Sequence, residues 1–254
     1  MAQNTPIAAL PWPELTDIPN AQTAFQNLAN AIDPLVIPRF ASATARDAAI
    51  TSPTDGQACA RTDLHALQTY HGGIAAYAFP GWSLISRQVL GGSAATVSIS
   101  SIPQEYQHLM VVVMARSTDT GNTRVNLNVN INSDSGGNYG VHTFRANEYG
   151  TTNAVDQGQS QTALNGGFCV ITGSGAGISS ASAGIATLFI PHYSGTTWNK
   201  LILTQTSAMD KATTSLIRFG AGVWQSSAAV TSLLFTPSSG TVQTGSVFSL
   251  YGMS

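Results

Sequence analysis

Acidic side chains are the residues of this chain best suited to cleaving a glycosidic bond. A glycoside hydrolase needs two carboxyl groups that converge on one sugar linkage, roughly 5–10 Å apart. No spacing between the acids of the C-terminal two thirds of the chain singles out such a pair, and most of them lie in turn-like stretches. Those acids are Glu105, Asp119, Asp134, Glu148, Asp156 and Asp210.

The histidines and cysteines form no metal-binding pattern. Cys59 and Cys169 have no partner cysteine at zinc-site spacing, and the five histidines are scattered. The glycine-rich segment 173–177, GSGAG, lacks the spacing of a nucleotide loop and precedes a further predicted strand rather than a helix. We therefore expect no enzyme activity, no metal site and no cofactor, and we expect both cysteines to be buried free thiols.

Aromatic and amide side chains point to binding rather than catalysis. Residues 132–162 form the longest stretch with little periodicity, and it combines tyrosines and ionisable groups with Gly, Asn and Ser. Aromatic rings stack on sugar faces, while Asn, Arg and Glu bind hydroxyl groups. Packing of the tyrosines between chains is the alternative. The candidate receptor-binding residues are Tyr139, His142, Arg145, Glu148 and Tyr149, followed by Tyr193 and Trp198; Trp224 is expected in the core.

The low charge of the chain limits the kinds of partner that it is expected to bind. Charged residues make up 9% of the sequence, against about 25% in an average soluble protein, and the formal net charge is −2. This balance predicts no binding to nucleic acid or to an anionic membrane. A surface rich in hydroxyls and amides suits contact with sugars, because such groups are less costly to desolvate than charges.

Residues 84–254 are predicted to form the domain that positions these side chains. Val125, Leu127, Val129 and Ile131 alternate with asparagines, which is the period of a half-buried strand. Many short apolar segments with turns between them and no intervening helix indicate a β-sandwich, similar to a jelly roll. Residues 119–122, DTGN, are predicted to be a hairpin turn. The further strand predictions are 85–90, 95–101, 108–116, 140–145, 167–172, 184–190, 200–206, 215–222, 229–235 and 247–252.

The first 83 residues read as two smaller regions. Residues 1–36 contain a proline-rich leader and a helix from about residue 19 to 33, whose apolar residues Phe25, Leu28 and Ile32 follow the spacing of a coiled-coil seam. Residues 37–83 contain a short helix, ATARDAAI, capped by Ser42 or Thr44, and a stem hairpin with strands 57–61 and 66–71. The hairpin is thin, so we expect three copies to share a buried prism that contains Leu67 and Tyr70.

Two features bear on targeting. The N-terminal segment MAQNTPIAALPWPEL lacks the basic and apolar regions of a signal peptide. The longest apolar run, residues 109–115, is too short to cross a bilayer and fits a buried strand. We therefore expect no secretory signal and no membrane insertion.

Several motifs resemble a known family. Residues 13–20 read P-E-L-x-D-x-P-N, and they are followed by P-R-F-A-S, A-R-D-A-A-I, P-x-x-G-Q and L-Q-x-Y-x-G. This pattern, over roughly residues 10–83, resembles the N-terminal part of minor tail proteins and tail fibres of phages that infect Gram-positive bacteria. Residues 100–117, SSIPQEYQHLMVVVMARS, and the closing GSVFSLYGM are similar to the C-terminal heads of the same proteins. One departure is the absence of a long shaft.

The resemblance implies a virion tail protein assembled in the bacterial cytoplasm. It implies a homotrimer that attaches to other tail proteins through its N-terminal region and contacts a host cell-surface glycan through its head. The residues expected at trimer or attachment contacts are Trp12, Phe25, Leu28, Ile32, Leu67 and Tyr70. Two alternatives stay open, namely a purely structural tail-tip component and a tail depolymerase that cleaves glycans.

Overall fold

The fold is mainly β. The computed structural model describes residues 3–4, 11–12, 27, 37–64, 66–72, 76–78, 81–146, 154–165, 168–211 and 214–253. Strands make up 50% of the structure and helix 4%, and the sheets are largely antiparallel. The chain divides into two compact units, Met1–Ala78 and Phe79–Ser254. The predicted helix at residues 19–33 lies outside the described residues, apart from Asn27, which is helical.

The described residues of the first unit contain short strands and a seven-residue helix. A two-stranded antiparallel sheet and a four-stranded sheet of order β3-β4-β5-β6 make up its β structure, and only the β3–β4 pair is parallel. The elements are β1 (Gln3–Asn4), β2 (Pro11–Trp12), β3 (Arg39–Phe40), α1 (Ala43–Ala49), β4 (Ala58–Arg61), β5 (Ala66–His71) and β6 (Ala76–Ala78).

The predicted hairpin packs beside helix α1. Ser42 is the N-cap, and its side chain accepts a hydrogen bond from the Ala45 amide, so the first of the two predicted caps is right. Arg46 of α1 is buried and donates from Nη1 to Oε1 of Gln68 at 2.6 Å. Cys59 lies opposite Gln68 in the hairpin and is fully buried. One face of the hairpin is therefore covered within the chain itself.

The predicted prism needs a correction. Leu67 and Tyr70 are three residues apart on the regular strand β5, and side chains alternate along a strand, so they point to opposite faces. Leu67 is 43% exposed, whereas Tyr70 is partly buried. A single apolar prism therefore cannot contain both side chains of one chain.

The second unit consists of strands and connecting loops throughout its described residues. Every strand predicted between residues 84 and 254 overlaps an observed one. The strands are β7 (Ser83–Val89), β8 (Val97–Ile99), β9 (His108–Ala115), β10 (Arg124–Ile131), β11 (Tyr139–Ala146), β12 (Ala154–Gln161), β13 (Val170–Thr172), β14 (Gly184–Pro191), β15 (Lys200–Lys211), β16 (Thr214–Trp224), β17 (Leu233–Pro237) and β18 (Val247–Met253).

Two antiparallel sheets contain these strands. The large sheet has the order β12-β11-β16-β15-β14-β9-β18-β7, and the small sheet has the order β13-β10-β17-β8. The apolar residues of β10 are buried as the alternation predicts. Phe235 of the small sheet and Phe248 of the large sheet have ring centroids 5.2 Å apart, and Thr206 Oγ1 donates to the Val170 carbonyl at 2.8 Å. The core therefore lies between the two sheets.

The predicted turn at residues 119–122 forms but does not close a hairpin. The Asp119 carboxylate accepts hydrogen bonds from the Gly121 amide at 2.8 Å and from Asn122 Nδ2 at 2.7 Å. However, β9 belongs to the large sheet and β10 to the small sheet. The turn therefore carries the chain from one sheet to the other, a distinction that local turn chemistry does not encode.

The stretch 132–162 is less loop-rich than predicted. Strands β11 and β12 pair as antiparallel neighbours, with Val141 opposite Gly158 and Phe144 opposite Val155. Strand β12 reads AVDQGQSQ and lies at the edge of the large sheet, where main-chain pairing to β11 compensates for its weak apolar pattern.

No helix among the described residues is long and apolar enough to span a membrane.

Candidate functional site

Tyr139, the first of the predicted receptor residues, belongs to the core. Its side chain is fully buried, and its hydroxyl accepts a hydrogen bond from the Ile131 amide at 2.9 Å and donates to the Asp134 carbonyl at 3.1 Å. Burial raises the pKa of this phenol to about 12. Tyr139 anchors the loop before β11 and cannot contact a receptor in this conformation.

Two of the other residues predicted from this stretch, His142 and Arg145, lie on opposite faces of one strand. His142 and Arg145 are three positions apart on β11, so they point to opposite faces of the large sheet. His142 is exposed on the outside, whereas Arg145 is half-buried and lies opposite Arg218. Glu148 and Tyr149 lie outside the described residues. A strand thus separates side chains that were expected to act together.

The two second-choice residues have contrasting positions. Tyr193 is fully buried and its hydroxyl donates to the Pro103 carbonyl, so it also leaves the candidate surface. Burial raises the pKa of Tyr193 well above its ordinary value. Trp198 is 79% exposed, more than any other large hydrophobic side chain of the described residues. Of the receptor residues expected from the sequence, Trp198 has the geometry of a contact residue.

Trp198 lies at one end of the second unit, where three loops meet. We call the loops 132–138, 192–199 and 225–232 together the loop end. The Gln225 amide donates to the Asn138 carbonyl at 2.8 Å, and the Val230 amide donates to the Tyr193 carbonyl at 2.9 Å. Asn132 reaches across, because its Oδ1 accepts from the Thr231 amide at 2.7 Å. These bonds hold the three loops together.

Asp134 organises the first loop. Its carboxylate accepts hydrogen bonds from Trp224 Nε1 at 2.7 Å, from Asn138 Nδ2 at 2.9 Å and from the Gly136 amide at 2.8 Å. These donors, with the Trp224 indole first, lower the pKa of Asp134. Trp224 itself is buried, as expected. Asp134 therefore acts as a loop anchor rather than as a poised acid.

Lys200 organises the second loop. It is only 3% exposed, and its ammonium group donates to the carbonyls of Gly195 at 2.6 Å, Trp198 at 3.1 Å and Ser227 at 3.1 Å. Burial lowers the pKa of this lysine. A buried cation that binds three carbonyls holds the turn in place and leaves the Trp198 indole in solvent.

Apart from the His192 imidazole, the exposed side chains of the loop end are neutral. Hydroxyl and amide groups predominate on the three loops, and the two charged groups nearby, Asp134 and Lys200, are engaged in the loop hydrogen bonds described above. Such a surface offers one aromatic plane and many donors and acceptors, which is the pairing that a sugar ring with hydroxyls requires. The exposed residues with hydroxyl or amide side chains are Ser133, Ser135, Asn138, Thr196, Thr197, Asn199, Gln225, Ser227 and Thr231.

An aromatic group borders the loop end on the large sheet. The Trp82 and Phe189 rings are 6.2 Å apart in a T-shaped arrangement, and His108 lies 5.7 Å from Phe189 and 5.2 Å from His192. The His192 amide donates to His108 Nδ1 at 3.2 Å, and burial, followed by the charge of His192, lowers the pKa of His108. Sequence reasoning did not group these residues, because they come from two separate strands, β9 and β14, and from two connecting segments that are distant in the sequence.

Two of the candidate acids lie beyond opposite ends of one strand. Asp119 precedes β10 and Asp134 follows it, and the two ends of this eight-residue strand are about 25 Å apart. That distance exceeds the separation in a glycosidase pair. In the described parts of the chain, no group of three His, Cys, Asp or Glu side chains could hold a metal ion.

Comparison with known proteins adds no assignment. No protein-family model, curated protein or solved structure matches the chain. The functional proposal therefore depends on the geometry described above and on the motifs of the sequence.

Proposed function

We propose that this chain is a structural protein of a phage tail, of the tail-fibre or minor-tail-protein kind, which contacts host cell-surface glycan through its loop end. The observation that carries the proposal is the Trp198 indole, 79% exposed on a turn that the buried Lys200 clamps. The motifs of residues 13–72 support a place in the virion tail. The second unit is, in this proposal, a sandwich-type, jelly-roll-like head.

A clamped indole suits weak and selective sugar binding. Stacking of a ring on a sugar face needs an aromatic plane that is exposed before the ligand arrives, since ordering a loop on binding would reduce the affinity. The surrounding hydroxyls and amides exchange hydrogen bonds with water for hydrogen bonds with sugar at small net gain. Binding by one chain is therefore expected to be weak, and several copies are needed for firm attachment.

The exposed face of the large sheet supports self-association. We call the outward side chains of β9, β11, β14, β15 and β16 the outer face. Its large apolar members are between 38% and 62% exposed, which is unusual for the central strands of a sheet. They are Met114, Phe144, Ile185, Leu201, Leu203, Ile217 and Phe219.

A second copy of this chain is the occupant that best fits the outer face. The outward positions of β9 and β14, residues 201–207 of β15 and the outward positions 215, 217, 219, 221 and 223 of β16 carry no Asp, Glu, Lys or Arg; Arg218 of β16 is buried on the inner side. Copies can therefore meet there without like-charge repulsion. A depression of about 310 Å³ between Phe144 and Phe219 can receive an apolar side chain from a neighbour. We propose that a homotrimer forms through this face.

Attachment to other tail proteins is assigned to the N-terminal region. In this proposal Trp12, Phe25, Leu28 and Ile32 make the trimer or attachment contacts, and Leu67 adds to them from the exposed face of the hairpin. Trp12 lies in β2, while the other three leader residues fall outside the described part of the chain.

The test is binding of the purified, labelled protein to a panel of protein-free Gram-positive cell walls. Saturable binding to some walls and not to others, without release of reducing sugar, is expected. Absence of binding to every wall would favour a purely structural tail-tip component. Release of reducing sugar would identify a depolymerase and overturn the proposal that the protein only binds.

A further inference from the structure

A polar pocket lies at the opposite end of the large sheet from the loop end. It has a volume of about 180 Å³ and lies where β9 ends, between the loop 180–183 and the segment 243–246. Its lining includes Arg116 and the hydroxyl-bearing residues Ser180, Ser182, Thr244 and Ser246. No acidic side chain lines it.

Arg116 is the charged group of this pocket. Its side chain is 8% exposed; Nε donates to Ser174 Oγ at 3.0 Å, and Nη1 donates to the carbonyls of Ser179 at 2.5 Å and Ser182 at 2.9 Å. Among the described residues Nη2 has no hydrogen-bond acceptor, and no carboxylate pairs with the guanidinium. The guanidinium therefore has one donor group, Nη2, that makes no hydrogen bond within the described parts of the chain.

A buried guanidinium without a counter-charge is a costly arrangement. Desolvation of an ion costs several kcal/mol, and carbonyl acceptors compensate only in part. Burial lowers the pKa of Arg116, but guanidinium stays charged at any physiological pH. Arginine binds carboxylate and phosphate groups through two parallel N–H donors, and one unused donor together with neighbouring hydroxyls offers such a site.

We propose that this pocket binds a small oxyanion, the carboxylate or phosphate group of a larger ligand. The volume accommodates such a group with part of the molecule that bears it. The site is separate from the loop end, because Arg116 follows the last residue of β9, whereas His108 at the start of β9 lies beside the loop 192–199. It adds an anion specificity that the neutral loop end does not have.

Removal of Arg116 is a poor test, because its hydrogen bonds also hold the loop at residues 174–182. The better variant is Thr244→Glu, which places a carboxylate at an exposed position of the pocket rim while Arg116 stays in place. Thr51→Glu, at an exposed threonine of the first unit that lies outside both the loop end and the lining of this pocket, is the matched control.

Thermal unfolding of the full chain is followed with inorganic phosphate in one arm and glucuronate in the other, each against chloride at equal ionic strength. We expect a saturable rise in Tm with at least one of the two anions in the parent and in Thr51→Glu. In Thr244→Glu the apparent affinity should fall roughly tenfold or more, because the added carboxylate repels an anion in the pocket and competes with it for Arg116. The arm that responds identifies the group. No saturable shift in either arm, or an equal shift in Thr244→Glu, would overturn the proposal.

Discussion

Replacement of Leu203 by Asp tests whether the outer face is a contact between copies. Full burial of a Leu, Ile, Met or Phe side chain contributes about 1.5–3 kcal/mol, so covering the exposed half of one such side chain contributes about 1 kcal/mol. The seven apolar residues of the outer face then offer roughly 7 kcal/mol per chain. That is comparable with the cost of association, about 4–15 kcal/mol, so the proposed trimer would depend on nearly all of this face.

The aspartate removes one apolar contact from each chain and also requires a carboxylate to be desolvated. Desolvation costs several kcal/mol per ion, and three copies in one trimer lose on the order of 10 kcal/mol or more. Light scattering of the parent should give the mass of three chains of 26.4 kDa each. The variant should have the mass of one chain.

Folding of the variant should be unchanged, because Leu203 is 55% exposed in the single chain. The far-ultraviolet spectrum and the urea midpoint of the isolated chain check this point. Thr196→Asp adds the same charge away from the outer face and should remain trimeric. A trimeric Leu203→Asp protein, or a parent that is monomeric at the concentrations of the assay, would refute the reasoning.

Two further predictions concern the anchors of the loop end. Lys200→Met leaves three carbonyls without their shared donor, so amide hydrogen exchange of residues 193–199 should speed up by roughly tenfold or more; unchanged exchange would show that the lysine does not hold the turn. The pKa of Asp134 is lowered in the fold, so its contribution to stability is present above about pH 4 and is lost as the pH falls below that value. Asp134→Asn should therefore show a shallower fall of the urea midpoint from pH 4 to pH 2 than the parent, and an identical slope would exclude this role.

Strong local patterns made much of the fold predictable. The alternation in β10, the Ser42 cap and the hairpin at residues 58–71 are properties of adjacent residues, and all three appear in the structure. Strand β12 was missed because it has no apolar period; its strand conformation depends on pairing with β11. The sequence also does not indicate which sheet a strand joins. The turn at Asp119 is an example, because it connects strands of two different sheets.

The candidate site was only partly predictable. From the sequence, Trp198 ranks after the residues of 139–149 as a receptor-binding candidate. A tyrosine in a polar stretch is expected to be exposed when the strand that contains it, and the face to which it points, are unknown. For Tyr139 the expectation of exposure is wrong. Its hydroxyl forms hydrogen bonds with main-chain groups, and these bonds allow the side chain to be fully buried. Lys200 and Asp134 gave no signal as loop anchors, because Lys200 binds main-chain carbonyls and Trp224, a main partner of Asp134, lies 90 residues away along the chain.

Two apolar strands, β9 and β15, have large apolar side chains that face solvent in the single chain. The run LMVVVMA in β9 predicts a strand that is buried on both faces, yet Met114 is 54% exposed in the single chain. The same conflict recurs in β15, where Leu201 and Leu203 face outward beside the buried Ile202. Burial by a second copy would resolve both conflicts.

The contribution of Trp198 to cell-wall binding is the most direct test of the central claim. Binding of the parent, Trp198→Phe and Trp198→Ala to Gram-positive walls should be measured at equal oligomeric state. Aromatic stacking contributes about 0.5–1.5 kcal/mol per contact, and three contacts on one trimer multiply its effect. We predict at least a tenfold loss of affinity for Trp198→Ala and a smaller loss for Trp198→Phe. A folded, trimeric Trp198→Ala protein that binds walls as tightly as the parent would contradict the account.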